Sequence, residues 1–290
     1  MTHSASMWLS YAVDSDTGRT RQHNEDSAFA SPRLIAVADG MGGHAHGEVA
    51  SAFAVAALAD LDDRLTDADL STLDLPELLT EAVVDASQRM TQAARHHADL
   101  RGMGSTLTAM LFDGTDFTLA HIGDSRGYLL RDGELRQLTH DHTLVQEMID
   151  DGRMDPEQAA DHPRRSVLTR ALHTGGITKP DLSTYAACPG DRYLLCSDGL
   201  TGVVGPEQLH EVLANPAEPA DLVPWLIDLA NEGGGPDNIT CAVVDVVEAT
   251  DAAPEERTRI IAGAAATQEL PTGRSGGSGW LPRWARRLRR

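Results

Sequence analysis

The feature that most limits the fold of this sequence lies between residues 105 and 138. Four short apolar runs, STLTAMLF, DFTLAHIG, RGYLLR and ELRQLT, are separated by Asp113-Gly114, Gly123-Asp124-Ser125 and Asp132-Gly133. Runs of this length joined by tight turns form hairpins, so the spacing predicts an antiparallel meander. Antiparallel order puts the two Asp-Gly turns at one end of the sheet and the Gly-Asp-Ser turn at the other. Asp124 is thereby separated from the hairpin acids and free to join another group.

Further strands are expected over residues 9–13, 27–30, 34–38, 193–196 and 239–247. Helices should begin near Glu48 and Pro76, where EVASAFAVAALADL and PELLTEAVVDASQRMTQAARHH repeat apolar residues at three- and four-residue spacing. Shorter helices are expected over residues 144–150, 206–213 and 221–231. Long helices interrupting hairpin-linked strands indicate an α+β layered fold rather than a doubly wound parallel sheet. Residues 151–170 are polar and aperiodic, which predicts a surface flap with a helical turn at most. Asp141-His142 is expected to cap the helix that follows it. After Val247 the composition shifts to Ala, Thr, Pro, Gly and Ser. Residues 1–248 are therefore assigned to the folded domain and 249–290 to a linker and a basic, disordered tail.

Four acidic turns share one design. Asp39 follows the apolar run of LIAVADG, Asp124 that of FTLAHIGDS and Asp198 that of RYLLCSDG, while Asp237 in GGGPDN precedes ITCAVVDVV. A fifth acidic cluster, Asn24-Glu25-Asp26, precedes residues 27–30. A single Asp-Gly pair is read as an ordinary turn, and the two hairpin pairs are so assigned. The recurrence is different, because carboxylates at strand ends beside glycines are what a hard divalent cation needs. If these acids converge, mutual repulsion forces protonation or splaying unless a cation sits among them. Oxygen donors, with no His or Cys at ligand spacing, favour Mg²⁺ or Mn²⁺ over zinc or copper. Two such ions would lower the pKa of a bridging water and aim the hydroxide at phosphorus. Arg21 in RTRQHNED is the candidate phosphate clamp, since a guanidinium can grip two phosphate oxygens at once. A solvated surface arginine is the alternative.

Charge narrows the partners. The formal net charge is −20, and residues 251–290 hold eight of the 24 basic and four of the 44 acidic residues, leaving 16 basic against 40 acidic before them. So acidic a body repels a phosphate backbone, and no nucleic-acid partner is expected. Three cysteines without C-x-x-C spacing fit a reducing compartment. The start lacks the pattern of a secretory signal and no run is long enough to span a bilayer, which predicts a cytoplasmic protein. Trp280, Trp284 and five arginines in the last eight residues could rest on an acidic membrane surface as a peripheral contact. A solvated end is the rival reading, and a monomer is expected.

The motifs R-x-x-N-E-D (Arg21 to Asp26), V-A-D-G-M-G-G-H (Val37 to His44), G-S-T (Gly104 to Thr106), H-I-G-D-S-R (His121 to Arg126), L-T-x-D-H (Leu138 to His142), L-C-S-D-G-L (Leu195 to Leu200) and G-G-P-D-N (Gly234 to Asn238) occur in order. Together they resemble the bacterial branch of the metal-dependent (PPM, type 2C) serine/threonine phosphatases, over residues 8–247. The resemblance implies a four-layer α-β-β-α sandwich, two antiparallel sheets flanked by helices, with a metal centre at one end. It implies that Asp39 bridges two central metals, that the Gly40 carbonyl binds one, that Asp198 and Asp237 bind the other, and that Glu25 acts through coordinated water. Asp124 with Asp198 would hold a third ion, and Arg21 matches the phosphate-clamping arginine. In the eukaryotic pattern a histidine directly follows Asp-Gly, whereas here Met41-Gly42-Gly43 intervene before His44. His44 and a metal-bound water are thus both candidates for protonating the leaving oxygen. The implied substrates are phosphorylated proteins, including serine/threonine kinases, whose action the enzyme would oppose. A pseudophosphatase that only docks phosphoproteins is the alternative, and a phosphodiesterase or nuclease is a third reading.

Overall fold

In the central strands successive apolar side chains enter different cores and none reaches water, which dictates the layering. In strand Leu34–Ala38, Leu34, Ala36 and Ala38 enter one core while Ile35 and Val37 enter another. Strand Arg192–Cys196 does the same, sending Tyr193 and Leu195 one way and Leu194 and Cys196 the other. Successive side chains of a strand point to opposite faces, so both sheets must be covered on both sides. The computed structural model, which describes residues 7–42, 46–159, 162–176, 178–249 and 258–270, shows how.

One sheet has five strands in the order Met7–Asp16, Ile239–Glu248, Arg192–Cys196, Arg126–Arg131 and Glu134–Gln137. The other has six, in the order Asp181–Ala186, Asp116–Ile122, Leu107–Phe112, Leu34–Ala38, Ser27–Ala30 and Ile260–Gly263. Every pairing in both is antiparallel. A core of Leu9, Ile35, Val37, Phe117, Tyr193, Leu195 and Val244 fills the space between them. Helices Gly47–Arg64 and Leu75–His96 cover the six-stranded sheet, and helices Pro206–Leu213 and Pro219–Glu232 cover the five-stranded one. The result is the four-layer α-β-β-α sandwich.

Helix Gly47–Arg64 is apolar on nearly every side because it lies between a sheet and helix Leu75–His96, and its alanines permit that close approach. Helix Leu75–His96 starts where Asp74 accepts the Glu77 N–H at 3.0 Å, with Pro76 in its first turn. Helix Leu144–Asp150 is capped by Thr143, whose hydroxyl accepts the Gln146 N–H at 3.2 Å. Asp141 and His142 are committed elsewhere: Asp141 receives a forked pair of bonds from Arg126, and His142 accepts the Gly123 N–H at 2.9 Å.

The meander needs correcting. Strands Leu107–Phe112 and Asp116–Ile122 pair with each other, as do Arg126–Arg131 and Glu134–Gln137, but the two hairpins belong to different sheets. Gly123-Asp124-Ser125 is a crossing between layers rather than a hairpin. Asp124 still sits at the opposite end from both Asp-Gly turns, because each hairpin reverses the chain once. The boundary after residue 248 also changes, since Ile260–Gly263 forms the edge strand beside Ser27–Ala30. Residues 250–257 and 271–290, with Trp280 and Trp284, lie outside the described residues. Among the described residues no helix is long and apolar enough to cross a membrane.

Candidate metal centre

Register brings the acids to one end of the sandwich. Ser27 pairs with Ala38, Leu107 with Ile122, Cys196 with Cys241, and Asp16 with Ile239. The residues just beyond these pairs are Asp26, Asp39, Asp124, Asp198 and Asp237. A period-2 ladder therefore converts positions up to 211 residues apart into one cluster.

Each acid is held by its backbone. Asp39 donates its N–H to Thr106 Oγ1 and accepts the Thr106 N–H at its carbonyl, both at 2.9 Å. The Gly40 N–H donates to the Glu25 carbonyl at 3.2 Å. Asn238 ties two loops together: its Oδ1 accepts the Glu25 N–H at 2.8 Å, and its Nδ2 donates to the carbonyls of Thr17 at 2.9 Å and His23 at 3.0 Å. Arg21 donates from Nη2 to Asp237 Oδ2 at 2.7 Å. Its side chain is 54% exposed, so the guanidinium can reach an arriving anion by leaving Asp237.

Crowding of like charges governs the electrostatics. Burial, then repulsion from Asp26, Asp198, Asp124 and Asp237, pushes the Asp39 carboxyl well above the usual carboxylate range. Burial, then repulsion from Asp237, raises Asp198 as well, with the neighbouring Asp39 side chain acting against that rise. Burial with repulsion from Asp198 pushes Asp124 up to about 7. Burial raises Glu25 as well, with Glu48 adding to it.

Asp26 is the residue that sequence reasoning missed. It is 1% exposed, burial pushes its carboxyl up to about 7, and Asp198 and Asp237 repel it. Oδ2 accepts from Thr240 Oγ1 at 2.7 Å, while the buried Oδ1 has no hydrogen-bond partner among the described residues. Its place in the N-E-D triplet was visible, but only the ladder shows that it faces inward. Thr106 and Asn238 likewise stood in recognised motifs without a role. His44 lies outside the described residues.

Among the described residues no three His, Cys, Asp or Glu side chains close around one point as a ready-made cage. That agrees with Asp39 and Asp198 being turned toward each other and Asp237 toward Arg21. The donors still fit a divalent cation on three counts. The cluster is all oxygen, its mutual repulsion is what a cation relieves, and the buried Asp26 Oδ1 is an acceptor without a donor. Gly40 supplies the close approach, since a Cβ there would overlap the carbonyl oxygens of Gly47 and Glu25. Gly40→Ala is accordingly expected to weaken Mn²⁺ binding about tenfold, measured by calorimetric titration of the metal-stripped protein.

The raised carboxyls set the sign of a pH effect. Asp26 and Asp124 titrate near 7 when folded, against an ordinary value of about 3.9. The folded state binds more protons between these values, so this contribution to stability is complete below about pH 4 and is lost as pH rises through 7. His121, which burial lowers to about 4, acts oppositely below its ordinary 6.5. The difference between parent and Asp124→Asn isolates the carboxyl effect. In EDTA the variant should gain melting temperature over the parent from pH 5 to 8, as read by thermal melts.

A family model described as protein phosphatase 2C matches residues 18–236. The chain belongs to the protein phosphatase 2C family. Within that family it is 52% identical over 240 residues to the serine/threonine protein phosphatase PstP of Mycobacterium tuberculosis, a match covering 83% of this chain and 45% of the relative. It is 38% identical over 235 residues to the serine/threonine phosphatase stp of Listeria monocytogenes, covering 79% of this chain and 93% of that one. The PstP catalytic domain solved in complex with two manganese ions superposes with a TM-score of 0.77 at 50% identity, over 83% of this chain and 100% of that one. The phosphatase 2C fold thus accounts for both sheets and their helical covers. The chain spans about 45% of the length of its PstP relative.

Proposed function

We propose that this chain hydrolyses phosphoserine and phosphothreonine in proteins in dependence on Mn²⁺ or Mg²⁺, opposing serine/threonine kinases. The observation that carries the reading is the convergence of Asp26, Asp39, Asp124, Asp198 and Asp237 at one sheet end, with Arg21 at its mouth. Asp39, the Gly40 carbonyl, Asp198 and Asp237 would hold two ions, with Glu25 contributing through water. Asp124 and Asp198 would hold a third. Bound there, the ions supply Lewis-acid polarisation of the phosphoryl oxygens and an activated water at neutral pH.

The chain's own groups do the rest. Arg21 exchanges Asp237 for the phosphate dianion, whose planar pairs of oxygens match its fork. The Asn238 bonds to Thr17, His23 and the Glu25 N–H fix the loop carrying Arg21 against the turn carrying Asp237, so clamp and carboxylates keep their spacing. Substrate recognition falls to the surfaces around this end, and phosphorylated proteins are the proposed partners.

The test is release of inorganic phosphate from a phosphothreonine peptide during a Mn²⁺ titration, alongside a phosphodiester of similar size. Turnover of the monoester that requires metal and exceeds the diester rate supports the reading. Tight peptide binding with no turnover at any metal concentration would instead favour a docking pseudophosphatase, and faster diester cleavage a phosphodiesterase.

A further inference from the structure

The tail segment excluded from the domain on composition bears on the site from behind. Strand Ile260–Gly263 pairs with Ser27–Ala30 in the register Ile260 to Ala30, Ile261 to Phe29, Ala262 to Ala28 and Gly263 to Ser27. Ladder pairing stops at Gly263, but the contact continues. The Ala264 N–H donates to the Asp26 carbonyl at 2.7 Å, and the Ala265 N–H donates to Ser27 Oγ at 3.0 Å. Ser27 Oγ lies 2.8 Å from Ser51 Oγ, which donates to the Glu25 carbonyl at 2.5 Å. That same carbonyl receives the Gly40 N–H. Two consecutive amides of the segment therefore hold the Asp26 carbonyl and the Ser27 hydroxyl, and the latter reaches the Glu25 carbonyl through Ser51.

The fit leaves no slack. Gly263 adopts φ +69, which L side chains rarely take, and a Cβ there would overlap the Asp26 carbonyl oxygen. The other end of the segment is anchored independently. Arg259 pairs with Asp62 at 2.5 Å and with Asp63, and Tyr11 donates to the Thr258 carbonyl at 2.9 Å. Ile261 packs against the core beneath helix Gly47–Arg64. Without this strand, Ser27–Ala30 would be a sheet edge with unpaired backbone groups.

We infer that residues 259–265 are a positioning strap that fixes the backbone of Asp26 and Glu25 against Asp39 and Asp198, so that docking of the strap and uptake of divalent metal reinforce each other. The inference rests on the proposed metal centre. Its physical basis is that Asp26 has no freedom at its carbonyl while its Oδ1 waits for a donor or cation. A strap that orders the loop beforehand removes an ordering cost from metal binding. Linkage then requires the converse, that bound metal holds the strap down by the same factor.

The direct test uses the unmodified full chain. Amide hydrogen exchange of a peptide covering residues 259–266 is measured in EDTA and at saturating Mn²⁺, with uptake checked separately by calorimetry. Exchange is expected to slow about tenfold on metal binding, while helix Pro206–Leu213 on the far layer changes less than twofold. Metal uptake without slowing of the strap would overturn the inference and leave the proposed function intact, and equal slowing of both segments would reduce the effect to global stabilisation and likewise overturn it. No uptake at all would remove the metal centre and the strap's role together. A second arm compares Gly263→Val with the parent. Gly263→Val should lower the EDTA melting temperature, so Leu209→Ala in the far helical layer serves as a destabilised control. Mn²⁺ affinity should fall about tenfold further in Gly263→Val than in that control, whereas unchanged affinity or an equal fall in both would contradict the inference.

Discussion

Asp39→Asn is expected to lower phosphopeptide turnover about 10³-fold, which is about 4 kcal/mol of transition-state stabilisation, while raising the melting temperature of the protein in EDTA at pH 8. The two effects have opposite signs for one reason. Asp39 is buried amid Asp26, Asp198, Asp124 and Asp237, and each of them raises its carboxyl. The amide keeps the shape, and the backbone can still donate its N–H to Thr106 Oγ1 and accept the Thr106 N–H at its carbonyl, but one of the mutually repelling charges is removed. Stability is gained because less charge is crowded, at about 2–4 °C per kcal/mol in a domain of this size. Function is lost because the same charge was the one set to attract cations. A substitution that merely disturbed packing would lower both quantities. Thermal melts with and without Mn²⁺, set beside initial rates, separate the cases.

Arg21→Ala should reduce kcat/KM about 10²-fold, the loss of about 2–3 kcal/mol from a forked, charge-assisted grip on phosphate. Two groups feel the change. Phosphate loses its clamp, and Asp237 loses the guanidinium that now bonds it at 2.7 Å. Removing that partner leaves Asp237 to the cations alone, so Mn²⁺ affinity should hold or tighten while inhibition by inorganic phosphate weakens. Arg21→Lys should recover part of the rate only, because an ammonium supplies charge without the planar fork. If phosphate inhibition and kcat/KM were unaffected in the alanine variant, Arg21 would be the solvated surface residue that its exposure also permits.

Much of this site could be read before any coordinates. Strands 27–30 and 34–38 and helices 144–150 and 206–213 fall where they were expected, because short apolar runs and helical spacing agree there with burial. The acids stood out because each bordered an apolar run with glycine close by. What stayed hidden was non-local. The run of turns from residue 105 to 138 looks the same whether its two hairpins share a sheet or face each other across a core. Strand Asp181–Ala186 is a largely exposed edge with no apolar face to announce it. Ile260–Gly263 is four residues in an alanine-rich stretch, and only pairing with Ser27–Ala30 makes it a strand. Asp26 was passed over beside Glu25 because sequence cannot say which of two adjacent acids faces inward. Thr143 took the cap from Asp141 because Arg126 had already claimed that carboxylate.

The central claim is that these distant carboxylates form one pocket for divalent cations. Anomalous diffraction from crystals of the full chain soaked in Mn²⁺ addresses it most directly. The account predicts peaks bounded by Asp39 and the Gly40 carbonyl on one side and by Asp39, Asp198 and Asp237 on the other, both absent after Asp39→Asn. Manganese located only at other surface acids, or strong peaks undiminished in that variant, would contradict it.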